Sequence, residues 1–397
     1  MRRLHTFSSP AAWTGLGAVY LGFLTVGFVF HFIPPILPLM LRDLGIGHGQ
    51  AGLLMSLFAL PGILLSVPGG WLADRAGAPL MGAAGLVVMG LGTLGMGLGA
   101  GFGWILTARA VAGVGVAVSV VALQRMIVTL FSGRPLGVPM GVSGTAVPLG
   151  IIIILNIAGP WARDHNWRAV ALGTGTVTMV TAVVFYLVSR LVMGRRGEAS
   201  TDPRQKEGAP VPAPAGQGFG VIWIAAVVWF CANGAMTSFM TFAPDHFFEL
   251  GWSVRARGLV TSIPMWGSVL LGPLTGWLTD RHGHKAAFIT AGMALMALSL
   301  SAIPGGGVPQ VLLGMALGAS LAAVVTPLLS LPGSLLPADR VGRGFGILAT
   351  FANLGIFFCP PLVGMVRDQS GQFTAPFLLM AGIAAAGVAA GLFLRRA

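Results

Sequence analysis

The sequence predicts an all-α membrane protein in which twelve transmembrane helices form two similar six-helix bundles that run in parallel along the chain. Three observations carry this prediction: the composition, the number of long apolar runs and an internal repeat. Hydrophobic residues make up 55% of the 397 residues, and charged residues make up only 9%. A soluble domain of this length carries far more charge on its surface. The bilayer is therefore the expected solvent of most of the chain.

Twelve apolar runs are long enough to cross a bilayer, which takes about 20 residues of helix each. They are continuously apolar and do not alternate, so each is expected to be a helix and not a strand of a barrel. We number them spans 1 to 12. They cover residues 12–40, 50–70, 78–100, 103–131, 136–161, 168–192, 219–248, 256–278, 285–304, 308–335, 342–366 and 373–394.

An internal repeat relates the two halves of the chain. Residues 70–77 read GWLADRAG, and residues 276–283 read GWLTDRHG, 206 positions later. The same offset pairs Pro38 with Pro244, Gly52 with Gly258, and Ser56 with Ser262. Two copies in the same direction predict one bundle at residues 1–192 and a second at 219–397. The charged, proline-rich residues 193–218 cannot bury enough apolar surface to fold alone and are expected to be a cytoplasmic linker.

Basic residues predict the orientation. Most of the 23 lysines and arginines lie in loops on the same side as both termini, and cytoplasmic loops carry an excess of these residues. We therefore expect a multi-pass protein of the cytoplasmic (inner) membrane with both termini in the cytoplasm. The same bias explains the net charge of +12, so the lipid bilayer is the expected partner and nucleic acid is not. We expect a monomer.

Several functions are disfavoured by what the sequence lacks. No glycine-rich phosphate loop with its lysine is present, which excludes an ATP-driven pump. We recognise no metal-ligand cluster and no pairing of a nucleophile with a base, so we expect no enzyme, no catalytic residue, no metal and no cofactor. No segment resembles the selectivity filter of a channel, and no soluble sensor domain is visible. Cys231 and Cys359 lie inside apolar runs and predict no disulfide.

The repeated loop carries a family resemblance. It reads Gly70-x-x-x-Asp74-Arg75-x-Gly77 between spans 2 and 3, and Gly276-x-x-x-Asp280-Arg281-x-Gly283 between spans 8 and 9. With six plus six spans and a long central loop, this pattern resembles the signature loop of the major facilitator superfamily of secondary transporters. Two further segments are similar to motifs of that family: Arg109-x-x-x-Gly113-x-Gly115 in span 4 and Asn166-Trp167-Arg168 before span 6.

The resemblance implies two bundles that rock about a binding site at the middle of the membrane, with spans 1, 4, 7 and 10 along the path. It also implies that the repeated loop is a conformational latch on the cytoplasmic side, in which Asp74 meets span 11 and Asp280 meets span 5. The alternative is a solvated turn with a surface ion pair. Ala78, Pro79 and Leu80 replace the basic residues usual after Gly77, so the first latch is expected to be the weaker one.

Polar side chains at membrane depth are the candidates for the site, because they are costly there. His31 precedes Pro34, Pro35 and Pro38, which cannot donate to the preceding carbonyls and so predict a broken helix that lines a cavity. The alternative is a histidine satisfied by a neighbouring hydroxyl. The candidate substrate-binding residues are His31, Gln124, Arg125, Trp229, Asn233 and Thr237.

Arg109 and Arg125 both lie in span 4, but at about 100° per residue they point roughly 160° apart, and Gln124 falls within about 60° of Arg109. The two arginines therefore cannot face one narrow pathway. The resemblance favours Arg109 as the buried one, with a role in packing or proton coupling. Arg125 either contacts an anionic substrate or extends to the cytoplasmic surface.

Proton coupling requires a group with a shifted pKa in the pathway, and the candidates are His31, Arg109, Asp245 and His246. A competing interpretation makes Asp245 and Glu249 wetted residues of the outer loop, paired with Arg255 or Arg257. For Glu249 we favour that interpretation.

The sequence as a whole predicts a secondary transporter for a small solute. Two arginines and few acids in the spans favour an organic or inorganic anion, taken up in symport with protons by alternating access. The alternative is efflux of a hydrophobic or drug-like compound. Span 5 resembles a motif of antiporters only in part, because Val147 stands where a glycine is expected, and this disfavours efflux.

Overall fold

The structure is a computed structural model that describes residues 10–63, 77–132, 136–194, 218–337 and 340–394. Every regular element within these ranges is a helix. Eleven of the described helices are long and apolar enough to cross a membrane, and span 2 begins with a helix that leads towards residues outside the ranges. The prediction of twelve spans in two bundles is confirmed.

The helix bounds follow the predicted spans closely. In the first half they are Pro10–His31 and Leu37–Leu44 (span 1), His48–Leu57 (span 2), Ala78–Leu98 (span 3), Phe102–Leu130 (span 4), Gly137–Gly144 and Ala146–His165 (span 5) and Trp167–Gly194 (span 6). In the second half they are Gly218–Glu249 (span 7), Val254–His282 (span 8), Lys285–Ala302 (span 9), Gln310–Leu335 (span 10), Val341–Ser370 (span 11) and Thr374–Leu394 (span 12). The predicted linker lies almost entirely outside the described residues.

Consecutive spans alternate in direction, so span 1 begins and span 12 ends on the same side of the molecule. We call this side the terminal face and the other side the opposite face. Spans 1, 3, 5, 7, 9 and 11 run from the terminal face to the opposite face, and the even-numbered spans return.

Span 1 contains the break that its prolines predict. The first helix ends at His31, a 3-10 turn occupies Pro34–Ile36, and a second helix runs from Leu37 to Leu44. Since proline has no backbone N–H, the last carbonyls of the first helix lose their usual donors. They are available to side chains from neighbouring spans.

The two halves meet near the opposite face through two interfaces that the repeat relates. Span 2 packs on span 11, where a Cβ added to Gly52 would lie 2.4 Å from the carbonyl oxygen of Pro360. Span 8 packs on span 5, where a Cβ added to Gly258 would lie 2.4 Å from the carbonyl oxygen of Leu155. Only glycine allows backbones to approach this closely. Gly52 and Gly258 are equivalent positions of the repeat, so the two interfaces have the same local packing.

Candidate functional site

A large space separates the halves on the terminal side of these interfaces. It comprises a cavity of about 580 Å³ and a neighbouring one of about 720 Å³, which share the lining residues Val121, Gln124, Phe345 and Ala349. Spans 1, 2, 4 and 5 of the first half and span 11 of the second form the deeper cavity. The halves are thus in contact near the opposite face and apart towards the terminal face.

The walls of this space are mainly apolar and carry a few polar side chains. Phe30, Phe58 and several valines line the deeper cavity, together with Gln124 and Asn353. Arg125 and Trp229 line the neighbouring one. Among the described residues that line either cavity there is no aspartate or glutamate. The site therefore presents a positive charge and two amides on an apolar surface.

Three of the predicted site residues meet in a smaller cavity of about 140 Å³. His31 from span 1 and Asn233 and Thr237 from span 7 line it, and Phe30 separates it from the deeper cavity. His31 is buried, and within the described ranges its Nδ1 has no hydrogen-bond partner. The Nδ2 of Asn233 donates to the carbonyl oxygen of Trp229 at 2.8 Å. The break in span 1 thus places an imidazole between the two halves.

Arg109 is completely buried and binds the broken part of span 1. Its Nη1 and Nη2 donate to the carbonyl oxygens of Val29 and Phe30 at 2.6 and 3.0 Å, and its Nε donates to that of Leu54 in span 2 at 3.1 Å. The guanidinium carbon lies 4.2 Å from the centre of the Phe58 ring. One side chain therefore ties spans 1, 2 and 4 together. Its role in proton coupling stays a prediction.

Asp245 lies at the end of span 7 in a contact that the sequence did not predict. Its Oδ2 is 2.8 Å from Nε2 of His48, and Nδ1 of the same imidazole is 2.9 Å from Oδ1 of Asp368 in span 11. Asp245 is buried. Pairing with Arg255 or Arg257 is therefore the wrong interpretation for Asp245, whose partner comes from the other half.

The neighbours of Asp245 at the end of span 7 also have unpredicted partners. Glu249 pairs with Arg367 of span 11, so the prediction that it pairs with Arg255 or Arg257 is wrong. Arg257 instead lies over the Phe248 ring, 4.8 Å from its centre. His246 is buried against the rings of span 12 and its preceding turn, and its Nε2 has no hydrogen-bond partner in the described part of the chain.

Comparison with known proteins fixes the family. The sequence profile of the Major Facilitator Superfamily matches residues 19–247 and again residues 226–397. The chain belongs to this superfamily. As a member of the Major Facilitator Superfamily it is a multi-pass membrane protein and a transporter, not an enzyme.

Among its relatives, the chain is similar to the probable sulfoacetate transporter SauU of Cupriavidus necator, with 22% identity over 90% of this chain and 87% of that one. It is also similar to the multidrug resistance protein MdtG of Klebsiella pneumoniae, with 26% identity over 94% and 92% of the two chains. The fold matches a bacterial homologue of the human lysosomal transporter Spinster in an inward-facing, occupied conformation, with a TM-score of 0.73, 14% identity and 98% of each chain covered.

The superfamily's signature loop is only partly visible. Gly70, Asp74 and Arg75 lie outside the described residues, and so does the side chain of Asp280. Gly77 and Gly283 adopt positive φ angles of 84° and 68°, as expected for glycines that begin span 3 and end span 8. Gly276 lies within span 8, and Arg281 lies over the Trp277 ring, 5.3 Å from its centre. The latch stays a prediction.

Sequence reasoning missed three ionisable residues that organise the opposite face: His48, Asp368 and Asp43. Asp43 accepts a hydrogen bond from Nε1 of Trp167 at 2.8 Å and pairs with Arg168. The Asn166-Trp167-Arg168 motif therefore anchors span 6 to the end of span 1. Its partner could have been sought among the acids of the short loops on the same side, but nothing in the local sequence identifies Asp43.

Proposed function

We propose that the protein is a proton-coupled secondary transporter of a small organic anion, in the cytoplasmic membrane with both termini in the cytoplasm. One observation carries the choice of substrate class. Arg125 lies on the wall of the cavity between the halves, and no acidic side chain is among the described residues that line it.

The charge on this wall acts in an apolar space. A cavity with walls of low dielectric constant concentrates the field of a single charge, and an ion pair there is stronger than in water. An anion that enters the cavity gains this attraction to Arg125. The similarity to a probable sulfoacetate transporter supports the same class, because sulfoacetate is a small organic anion.

The apolar part of the lining constrains the rest of the substrate. Phe30, Phe58 and Val120 offer surface to a short carbon skeleton, while the amides of Gln124 and Asn353 can bind hydroxyl or carbonyl groups. An organic anion with both features fits this lining better than an inorganic ion, which keeps its hydration shell.

Transport follows from the arrangement of the halves. Contacts near the opposite face and an open space on the terminal side correspond to one end state of a rocking cycle about the central site. The excess of basic residues on the terminal side supports a cytoplasmic location for that face, so this state faces inward. His31, Asn233 and Thr237 line the smaller cavity that shares Phe30 with the deeper one, and carriers of this kind bind their substrates near the middle of the membrane.

The proposal is tested by binding and then by uptake. Purified protein is heated with pairs of compounds of the same skeleton that differ in charge: a carboxylate or sulfonate, its neutral amide and the corresponding amine. Binding to the folded state raises the melting temperature, and we expect only the anions to do so. Uptake of the stabilising anion into proteoliposomes should increase with an inward-directed proton gradient.

Arg125→Ala should raise the KM for that anion roughly tenfold or more, because a charge-assisted contact is worth about 1.5–3 kcal/mol, and Arg125→Lys should restore part of the loss. Arg190→Ala is the matched control, since Arg190 is exposed on span 6 beside Tyr186 and does not line these cavities. Equal KM values in Arg125→Ala and Arg190→Ala would remove Arg125 from the site.

Efflux of a hydrophobic compound is the second candidate. The phenylalanine and valine side chains of the deeper cavity favour it, as does the similarity to MdtG. The same heating experiment discriminates the two functions: stabilisation by lipophilic cations and by none of the small anions would support efflux and reject the anion proposal.

A further inference from the structure

We propose that His48, held between Asp245 and Asp368, is the proton-binding site that keeps the opposite face closed. The proposal rests on the proposed proton-coupled transport and names the residue that takes the coupling proton. It concerns a contact between the halves, away from the substrate cavity.

The three side chains come from three spans. His48 begins the helix of span 2 in the first half, Asp245 ends span 7 and Asp368 ends span 11 in the second half. The imidazole bridges the carboxylates at 2.8 and 2.9 Å. The backbone N–H groups of His48 and Gly49 also donate to the Asp368 carboxylate, at 2.8 Å each. The halves cannot separate at this face without breaking all of these contacts.

The arrangement of the imidazole between two carboxylates requires one proton more than a neutral imidazole and two ionised carboxylates carry. A neutral imidazole carries one N–H donor, and its other ring nitrogen is an acceptor. Here each ring nitrogen faces a carboxylate oxygen at hydrogen-bond distance. If the histidine were neutral and both acids ionised, one nitrogen lone pair would face an oxygen lone pair. One added proton, taken from water at the opposite face, removes this repulsion and makes both contacts attractive.

The surrounding charges determine how strongly that proton is held. Arg367 of span 11 lies close to the imidazole and is itself paired with Glu249 of span 7. Arg257 of span 8 interacts with the Asp245 charge, as does His246 of span 7. From span 12 and its preceding turn, only the Phe373 ring faces the imidazole, 5.9 Å from it. At the imidazole, the carboxylates of Asp245 and Asp368 therefore oppose the effect of the Arg367 guanidinium, while Arg257 acts on Asp245.

Burial alone would lower the pKa of His48, but the hydrogen bonds and charges of Asp245 and Asp368 outweigh both burial and Arg367, and the pKa is raised above its ordinary value of 6.5. When the opposite face opens, His48 loses its partners and returns to the ordinary range. The closed conformation thus gains stability that is fully present below the ordinary pKa. It is lost as the pH rises through the raised value.

This linkage couples the proton to the transport cycle. A proton that binds from the opposite face favours closure of that face and opening towards the terminal face. The opposite face reopens readily only after the proton has left. One proton changes the ratio of closed to open molecules by at most about tenfold per pH unit.

The test measures this ratio without substrate. Spin labels are placed at Leu98→Cys and Val308→Cys, two exposed positions near the opposite face in different halves, after the buried Cys231 and Cys359 have been replaced by alanine. Distances are measured in nanodiscs between pH 5 and pH 8. We expect the short-distance population to grow as the pH falls in the parent protein. In His48→Gln the population should change less than twofold over this range.

His165→Gln is the matched control, because His165 is exposed on the same face at the end of span 5, and it should titrate like the parent. If His48→Gln does not fold, Asp368→Asn decides, since it removes one carboxylate and should move the midpoint to lower pH. A parent population that does not depend on pH, an unchanged slope in His48→Gln or an unchanged midpoint in Asp368→Asn would each overturn the proposal. If the short-distance population depends on pH as expected but uptake does not depend on the proton gradient, the proposed proton coupling is overturned instead.

Discussion

Arg109→Met removes the three hydrogen bonds to backbone carbonyls and keeps the bulk of the side chain, so it isolates what the charge of Arg109 does. The carbonyl oxygens of Val29, Phe30 and Leu54 lose their donor. A buried acceptor left unsatisfied costs about 1–3 kcal/mol, which gives roughly 3–9 kcal/mol for three. Part of this is offset because a guanidinium no longer has to be buried. A net loss of about 3 kcal/mol is the expected result.

At about 2 °C per kcal/mol for a large chain, this loss lowers the unfolding temperature on the order of 5 °C. The assay is thermal unfolding of the purified protein in detergent, followed by uptake into proteoliposomes. Arg109→Lys should recover only part of the stability, because a single ammonium cannot reproduce the planar fork of donors. An Arg109→Met protein that unfolds within about 1 °C of the parent and transports normally would refute the idea that Arg109 holds the broken span 1 in place.

Two further changes test the packing of the halves and of the opposite face. Gly52→Ala and Gly258→Ala should each raise the ratio of molecules with an open opposite face to closed ones roughly tenfold, as read from the spin-label distances, because overpacking costs about 1–3 kcal/mol. Gly17→Ala is the control and should leave the distances unchanged, because a Cβ added there meets nothing within 4 Å. Asp43→Asn should lower the unfolding temperature by about 2–4 °C, because the contact of this side chain with Arg168 weakens. Asp164→Asn, at an exposed site, should not lower it. Equal unfolding temperatures of the two variants would contradict the anchoring role of Asp43.

The fold could be predicted from the sequence because its signals are repeated along the whole chain. Each span is a long apolar run, and the 206-residue offset fixes the number of bundles. The cluster of His31, Asn233 and Thr237 was also within reach, because the resemblance places spans 1 and 7 beside the path. The prolines after His31 predicted the break that brings it there.

The ion pairs at the opposite face could not be predicted from the sequence, for a physical reason. His48 is 197 residues from Asp245 and 320 from Asp368, and nothing local marks these residues as partners. Sequence reasoning assigned Glu249 to the nearest arginines along the chain, but span 7 packs along span 11, and Arg367 is nearest in space. Long-range pairing depends on which spans pack together, and apolar runs of similar composition do not specify this.

The repeat also supports the proposal that His48 binds a proton. At the offset of 206, His48 corresponds to Val254, which packs against Gly159 in the span 5–span 8 interface, and Asp368 corresponds to Ala162. That interface brings the halves equally close, since Gly258 approaches Leu155 as Gly52 approaches Pro360. Its side-chain hydrogen bond joins neutral groups, Nδ2 of Asn156 and Oγ of Ser262 at 3.2 Å, and the described residues of spans 5 and 8 form no ion pair with each other. Close packing of the halves therefore does not require ionisable groups, and partly burying them has a desolvation cost. In one repeat this position of the interface is occupied by Val254, and in the other it is occupied by a histidine between two carboxylates. The second arrangement has one property that valine cannot supply, because the strength of its contacts depends on a bound proton.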